Sequence, residues 1–360
     1  MAGKTAEQVY LNIQVLQGTP AEDLNQLMHL MRADLGVDCE YCHVSTTVGA
    51  GAEKDDLEPK QTARKMMKMV MDINKTQFGG AQLVTCYTCH RGSTVPITTP
   101  ILPITFEPEK PAPDLPTVDR IFSKYIQALG GEQAIRRVTS RVITGTQDVP
   151  AGPGGRDMAP ARTEQYRKAP NQSLNVFHGA YQGGSFTTAN GFDGATAWTQ
   201  SLTGQVAAAL KLDQDRARRD ADFYDSLHLK QKYGELTVDG IEKVNNRPAY
   251  VVTGVPADDN PEELYFDVQT GFLLRKTTIV PTAIGDSPFE INYDDYRDTG
   301  SGVKIPFLVR MDPPNPRNVL HTQSTLRVLK VQDNVAIESS KFVKPQSRPA
   351  PPPAPAAAAR

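Results

Sequence analysis

The chain carries Cys39-Glu40-Tyr41-Cys42-His43 and a second copy of the same pattern, Cys86-Tyr87-Thr88-Cys89-His90. Each is a C-x-x-C-H motif, the pattern that attaches a c-type haem. Its two cysteines can lie on one side of a helical turn and form thioethers to the vinyl groups of one haem, and the histidine that follows then lies under the iron as its proximal ligand. The motifs therefore predict two covalently bound haem c groups. The predicted tethers are Cys39, Cys42, Cys86 and Cys89, and the predicted proximal iron ligands are His43 and His90.

Other uses of cysteine explain this pattern less well. The chain has 4 cysteines, all of them in the two motifs, so none remains for a disulfide. A four-cysteine zinc site usually has pairs that are closer in sequence and needs no histidine after each pair. A thioredoxin-like redox motif would explain one C-x-x-C, but not two with the same following residue.

Methionines precede both motifs. We predict one helix from Thr19 or Pro20 to Gly36 and another over about 60–75. Methionine at helical spacing usually fills a hydrophobic core, but a haem iron bound by one histidine still needs a sixth ligand, and a thioether is common in electron-transfer cytochromes. We therefore expect one methionine of each helix to bind iron, with His29 as a competitor on the first helix. The methionines concerned are Met28, Met31, Met66, Met67, Met69 and Met71.

Charge and hydropathy narrow the class of protein. The formal net charge of −2 creates no field suited to nucleic acid. We find no window of about 18 apolar residues that would cross a membrane. The first residues, Met1 to Lys4, lead directly into a polar segment without the pattern of a signal peptide. Because haem is attached to such motifs outside the cytoplasm, we expect a periplasmic or otherwise extracytoplasmic protein whose export segment and any lipid anchor lie outside this sequence.

The region around the motifs resembles the photosynthetic reaction-centre cytochrome c subunit family over about residues 5–95. The resemblance rests on the string Asn12-Ile13-Gln14-Val15-Leu16, on Met28 ahead of the first motif, on Arg64-Lys65-Met66, and on the second motif within Val84 to Gly92. It implies Met28 as the sixth ligand with His43 and Met66 as the sixth ligand with His90, with Met31 and Met69 as alternatives. That family carries four haems in two pairs, whereas this chain has motifs for one pair. A di-haem half-unit of this kind suits a respiratory chain as well as photosynthesis.

Composition and sequence pattern divide the chain into four segments. We predict a di-haem cytochrome domain over 1–94, a proline-rich linker over 95–116, a strand-rich domain over 117–345 and a disordered Pro/Ala tail over 346–360. In the strand-rich part, Thr117 opens a helix that Gly130-Gly131 ends, a short helix follows over about 132–138, and another is predicted over about 206–225. Turn pairs such as Asn245-Asn246 and Thr270-Gly271 separate successive strands, which favours antiparallel hairpins. The predicted strands cover about 140–149, 162–168, 172–178, 184–190, 195–200, 235–244, 248–255, 262–268, 272–280, 288–297, 303–311 and 319–331.

These elements predict a multidomain protein, with a small helical haem domain followed by a large curved antiparallel sheet, or half-barrel, packed on helices. The second domain resembles the LolA-like lipoprotein-sorting carriers, through Gly191-Phe192-Asp193-Gly194 ahead of Trp198, Leu264-Tyr265-Phe266-Asp267, and Asp294 to Arg297 ahead of Ile305-Pro306-Phe307. The resemblance implies a concave apolar face able to hold an acyl chain or another hydrophobic ligand. The alternative is a sheet that wraps its own helix and binds nothing. We expect Trp198 to be a core residue.

The sequence therefore favours an extracytoplasmic di-haem c-type cytochrome that transfers single electrons between redox partners, or an electron-donating subunit of a membrane complex, rather than an enzyme. Two alternatives stay open. A di-haem enzyme of peroxidase type would need one iron without a sixth ligand. A hydrophobic-ligand carrier with a redox-active haem domain would make the strand-rich domain the functional part.

Overall fold

The computed structural model describes residues 4–21, 23–45, 51–98, 114–148, 159–181, 184–201, 204–209, 211–257, 259–282, 284–312 and 324–346. Most of the predicted linker and nearly all of the predicted Pro/Ala tail lie outside these ranges. The N-terminal part is helical: α1 is Ala6–Val9, α2 is Leu24–Leu35, α3 is Glu58–Gln77 and α4 is Cys86–His90, and a single 3₁₀ turn covers Cys39–Tyr41. Each C-x-x-C-H motif thus begins on a helical turn.

The ends of α2 and α3 follow from local chemistry. Gly36 adopts the left-handed conformation at φ 64°, and its N–H donates to the carbonyl of Arg32, which terminates α2. In α3, Pro59 occupies the first turn, where its missing N–H costs nothing. The helix is somewhat longer at each end than the predicted 60–75.

The apolar residues Val9, Leu11, Ile13 and Leu16 predict a helix from residue 5 to the break at Gly18-Thr19-Pro20, and this prediction is wrong beyond Val9. Among the described residues ahead of α2, the helix covers only Ala6–Val9, and Asn12 adopts a positive φ of 60°. The side chain of Asn12 donates to the carbonyl of Glu53 and to the carboxylate of Asp55, at 2.6 and 2.9 Å. These contacts hold the segment as an irregular loop against the residues ahead of α3, so tertiary bonds replace the helix.

The second part of the chain is one 13-stranded sheet in which every neighbouring pair is antiparallel. In spatial order the strands run β6-β5-β4-β3-β2-β1-β13-β12-β11-β10-β9-β8-β7. Within the described residues β6 and β7 are the two edges, so the sheet is unclosed. The strands are β1 Ser140–Gln147, β2 Ala161–Lys168, β3 Gln172–Tyr181, β4 Gly184–Phe192, β5 Ala197–Gln200, β6 Val206–Ala208, β7 Tyr233–Val244, β8 Arg247–Pro256, β9 Glu262–Asp267, β10 Leu273–Thr282, β11 Gly285–Asp298, β12 Lys304–Asp312 and β13 Ser324–Asp333.

The predicted multidomain fold, with a helical domain followed by a large antiparallel sheet packed on helices, is confirmed. The hairpin turns explain part of that success: Asn245 and Asn246 both have positive φ, 50° and 64°, as a two-residue turn between β7 and β8 requires. In the sheet domain, the start of one predicted helix is wrong. The start of the predicted helix 206–225 is β6, because Val206–Ala208 pairs with β5, and the helix begins only after it.

The sheet is covered on both faces at β5. Consecutive residues of a strand point to opposite faces, and in β5 Ala197 packs with Ala217, whereas Trp198 packs with Phe342. The indole N–H of Trp198 donates to the carbonyl of Phe342 at 2.8 Å, so Trp198 is a core residue, as predicted. The helices of this part are α5 Val118–Ala128, α6 Glu132–Arg137, α7 Lys211–Asp220 and α8 Leu229–Lys232.

Thr117 caps α5, and its removal should weaken the sheet domain moderately. Its hydroxyl accepts a hydrogen bond from the backbone N–H of Arg120. We expect Thr117→Ala to lower the free energy of unfolding by about 1 kcal/mol, because one N–H of the first turn loses its partner. Urea unfolding followed by the fluorescence of Trp198 would measure the change, and Thr117→Ser should behave like the unmodified protein. An equal loss in both variants would contradict the capping role.

Candidate haem site

The first motif forms one wall of a cavity of about 400 Å³ in the helical domain. The 3₁₀ turn contributes Cys39 and the residues after it contribute Cys42 and His43, while α2 faces them with Met28 and Met31. These two methionines share one face of α2 because they are three residues apart. The other lining groups include Tyr10, Ile13, Val15, Leu16, Leu24, Leu35, Lys60, Arg64 and Met67. Two thiols, an imidazole and two thioethers in one largely apolar cavity are a donor set that fits a c-type haem.

Both motif histidines are oriented in the same way. His43 Nδ1 lies 2.9 Å from the carbonyl oxygen of Ala52, and His90 Nδ1 lies 2.9 Å from the carbonyl oxygen of Ser93. A carbonyl oxygen can only accept, so Nδ1 carries the proton in each hydrogen bond. In both rings Nε2 therefore carries the lone pair that is available to a metal ion, which is the arrangement found in metal-binding histidines.

Burial favours the uncharged forms of the site residues. It lowers the pKa of His43, so that the imidazole is neutral and able to bind a metal ion. It also raises the pKa of Cys39 and Cys42, and it raises the pKa of Cys86 to about 11. These thiols stay protonated at neutral pH, which is unlike the low-pKa thiolates of redox or nucleophilic cysteines.

A small ion network holds the loop that orients His43. Lys60 donates from Nζ to the carbonyl of Ala52, the same oxygen that accepts from His43, at 2.8 Å. Asp55 binds Arg64 at 2.8 Å and lies 3.4 Å from Lys60. The hydrogen bond from Arg64 holds the pKa of Asp55 well below its usual range. The residues after the first motif are thereby tied to α3.

The second motif lies on α4, which packs against α2. Cys86 packs against the buried core of the helical domain, Cys89 is exposed, and neither lines the first cavity. The backbone N–H of Gly92 donates to the carbonyl of Asp34 at 2.9 Å, and the Tyr87 backbone hydrogen-bonds the Asp34 carboxylate. Burial raises the pKa of Asp34 to about 6. The C-terminal end of α2 therefore fixes α4.

The other support of the second motif is Asn74 of α3. Its amide donates to the carbonyl of Val84 at 2.7 Å, and its oxygen accepts from the N–H of Val84 at 2.9 Å. This two-way bond fixes the segment that leads into α4. No motif in the sequence marks Asn74 as a site residue, although its spacing of seven from Met67 places both on the buried face of α3.

The methionines of α3 divide between two faces. Met66, with 37% exposure, and Met69, with 45%, lie on the exposed face, while Met67 is 6% exposed and lines the first cavity. The structure thus brings Met28, Met31 and His43 together but does not bring Met66 into that cavity. His29 also lies outside the cavity lining, and its buried Nδ1 has no hydrogen-bond partner among the described residues. Met67 is one of the six methionines that the sequence places ahead of the motifs, but it was not the preferred one of α3, although its periodicity with Val70 marks the buried face.

Two C-x-x-C-H turns packed against methionine-bearing helices define the N-terminal part as a c-type cytochrome domain. Residues 1–109 match the family described as photosynthetic reaction centre cytochrome C subunit, which confirms the resemblance expected from the motifs.

Among curated relatives, the chain is 35% identical over 98 residues to the photosynthetic reaction center cytochrome c subunit of Roseobacter denitrificans, covering 25% of this chain and 26% of that protein. It is 32% identical over 99 residues to the subunit of the same name from Rubrivivax gelatinosus, covering 26% of each. The chain spans about a quarter of the length of these relatives.

Solved structures resemble the sheet domain. A LolA superfamily protein from Nitrosomonas europaea has 13% identity and a TM-score of 0.42, covering 64% of this chain and 99% of its own. A putative outer membrane lipoprotein-sorting protein domain from Vibrio parahaemolyticus has 10% identity and a TM-score of 0.43, covering 61% and 97%. A DUF1329 family protein from Desulfovibrio piger has 11% identity and a TM-score of 0.45, covering 63% and 97%. Two of these proteins are of the LolA-like type, which confirms the resemblance expected from the sequence.

Two further findings concern the described residues only. Their helices include none that is both long enough and apolar enough to cross a membrane. They also include no group of three His, Cys, Asp or Glu side chains arranged to hold a bare metal ion.

Proposed function

We propose that this protein is an extracytoplasmic di-haem c-type cytochrome that transfers single electrons between redox partners. The observation that carries the proposal is the shared orientation of His43 and His90, each with Nδ1 bonded to a backbone carbonyl at 2.9 Å and directly after a pair of cysteines. Each ring is thereby oriented through Nδ1 and leaves Nε2 for a metal ion, as in metal-binding histidines. When bound, haem c supplies a one-electron iron(III)/iron(II) couple.

The residues have separate tasks in this proposal. The four cysteines would tether the two haems covalently, so that the cofactors cannot dissociate. His43 and His90 would each bind the iron of one haem, and Met28 of α2 would be the further ligand of the haem held by His43, with Met31 as its alternative on the same face. Apolar side chains of the cavity exclude water and lower the local dielectric constant, which raises the reduction potential together with thioether ligation.

In this proposal the exposed face of α3 would supply the methionine ligand for the haem held by His90. Met66 lies there, outside the first cavity and on the helix that also contacts α4. Met69 shares that face, three residues further along, and is the alternative. His29 of α2, which the sequence makes a competitor of the α2 methionines, does not line the first cavity, and its buried Nδ1 lacks a partner within the described part of the chain.

The partner in this proposal is a redox protein or a membrane electron-transfer complex, reached in the periplasm. The support is the similarity of residues 1–109 to subunits named for the photosynthetic reaction centre. Because the chain has motifs for one pair of haems, the proposal covers a respiratory as well as a photosynthetic complex. Sixth ligands on both irons leave no site for a substrate, so the protein carries electrons and does not transform a substrate.

Met28→Ala should abolish half of the methionine-to-iron(III) absorbance in the near-red of the haem-loaded protein. The reason is that one of two thioether ligands is lost, while the haem stays attached through Cys39 and Cys42. Met66→Ala should remove the other half. Optical spectra recorded during a redox titration measure both changes, and Met71→Ala, an exposed methionine of α3, is the matched control.

The optical spectrum of the unmodified protein also tests the alternative of an enzyme of peroxidase type. If the unmodified protein held one high-spin haem that bound cyanide or peroxide readily, one iron would lack a sixth ligand. The electron-carrier proposal would then be abandoned for that haem.

A further inference from the structure

One residue of the sheet domain lies in the core of the cytochrome domain. Ile284 occupies the turn of the β10–β11 hairpin, where Thr282 pairs with Gly285. It is 1% exposed. All the other fully buried members of its hydrophobic cluster come from the helical domain: Ala6, Leu16, Leu24, Leu27, Leu30 and Met67.

The hairpin reaches this cluster because it projects beyond the sheet. Strand β9 pairs with β10 as far as Thr278, and within the described residues β12 pairs with β11 as far as Glu290. Among the described residues, β10 and β11 pair beyond those positions only with each other, down to Thr282 and Gly285. An isolated two-stranded ribbon is marginally stable in water. Insertion of Ile284 into the helical domain supplies the packing that such a ribbon needs.

The cluster lies directly behind the first cavity. Met67 belongs both to the cluster and to the cavity lining, and Met28 and Met31 pack against the cluster while lining the cavity. A side chain that fills this core therefore supports the positions of α2 and α3 from the side opposite the cofactor. Protein cores are close-packed, so a loss of volume there is transmitted to the neighbouring helices.

We propose that Ile284 is a positioning residue for the first haem, through which the sheet domain holds the methionine-bearing helices against the iron. This inference rests on the proposed electron-transfer function. Its consequence is that the sheet domain is part of the redox unit, because its hairpin tip completes the packing that keeps Met28 in place and water out of the cavity. Solvent access and axial ligation are both determinants of haem potential.

The test uses the full-length, haem-loaded protein with Ile284→Ala and Ile284→Asp, and Ile284→Val for rescue. We expect Ile284→Asp to lower the midpoint potential of one haem and to weaken the near-red methionine band, with Ile284→Ala intermediate and Ile284→Val close to the unmodified protein. Amide hydrogen exchange in α2 should accelerate by about tenfold or more in Ile284→Asp, because the core behind the helix is opened. Exchange in α2 can also be measured without haem.

Two controls separate the explanations. Ile241→Asp changes an isoleucine of the same sheet domain that is 42% exposed and should alter neither the potential nor exchange in α2. The fluorescence of Trp198 reports whether the sheet domain remains folded in each variant. Unchanged potentials in Ile284→Ala and Ile284→Asp with a normal Trp198 signal would overturn the inference, as would faster exchange with no change of potential. If the unmodified protein lacked the near-red band altogether, the proposed function would fail instead.

Discussion

Replacing Cys86 and Cys89 together with serine should leave one covalently attached haem per chain instead of two. The thioether bonds need the thiols, and each motif has its own pair. Because Cys86 and Cys89 do not line the cavity of the first motif, attachment at Cys39 and Cys42 should continue. The measurement is the mass of the denatured protein after maturation in a host that attaches haem c, since only covalent haem survives denaturation.

The reciprocal variant is the control for this experiment. Replacing Cys39 and Cys42 should also leave one haem, and replacing all four cysteines should leave none. The near-red band assigned to Met28 should persist when Cys86 and Cys89 are replaced. It should vanish when Cys39 and Cys42 are replaced, because Met28 lines the same cavity as those two cysteines. Loss of both haems on replacing only Cys86 and Cys89 would show that the two sites do not mature independently.

Glu262→Ala should lower the free energy of unfolding of the sheet domain by about 3–5 kcal/mol. Glu262 is 4% exposed, and its carboxylate accepts from the hydroxyl of Tyr233 at 2.6 Å and from Nζ of Lys276 at 2.9 Å. Removing the carboxylate leaves the ammonium of Lys276 and the nearby Lys232 without this compensating charge in a largely buried position. Urea unfolding followed by Trp198 fluorescence measures the loss. The exposed Glu235 of β7 is the matched control, and Glu235→Ala should change stability by no more than about 0.5 kcal/mol.

The same site predicts a pH dependence. Burial opposes ionisation of Glu262, but Lys276 and Tyr233 outweigh it and hold the pKa of its carboxyl below the ordinary value. Such a group adds stability above its unfolded pKa, about 4.3, and the contribution disappears as the pH falls through the lower folded pKa. The difference in stability between the unmodified protein and Glu262→Ala should therefore narrow below about pH 4. A difference that stayed constant into the acid range would contradict the ionised state of Glu262.

The parts of the fold and of the site that could be predicted depend on residues that are close together in the sequence. The duplicated C-x-x-C-H motif identifies its cofactor chemistry because thiol and imidazole spacing is set within one helical turn. Gly36 ends α2 and Asn245-Asn246 turns β7 into β8 because those backbone conformations select residues that tolerate positive φ. Strand-like runs separated by such turns were enough to predict an antiparallel sheet packed on helices.

Contacts between distant residues decided the rest. The loop after α1 is irregular because Asn12 bonds to Glu53 and Asp55, and β6 forms because β5 offers it a partner. Which methionine of α3 enters the first cavity depends on the face that packs against α2, so Met67 could not be distinguished from Met66 by residue type. By itself, the sequence determined the motifs, their ligand chemistry and the class of each domain, because these depend on neighbours along the chain. Only the tertiary structure decided that Ile284 lies behind the helices of the haem domain, because residues so far apart in sequence meet only through the packing of the two domains.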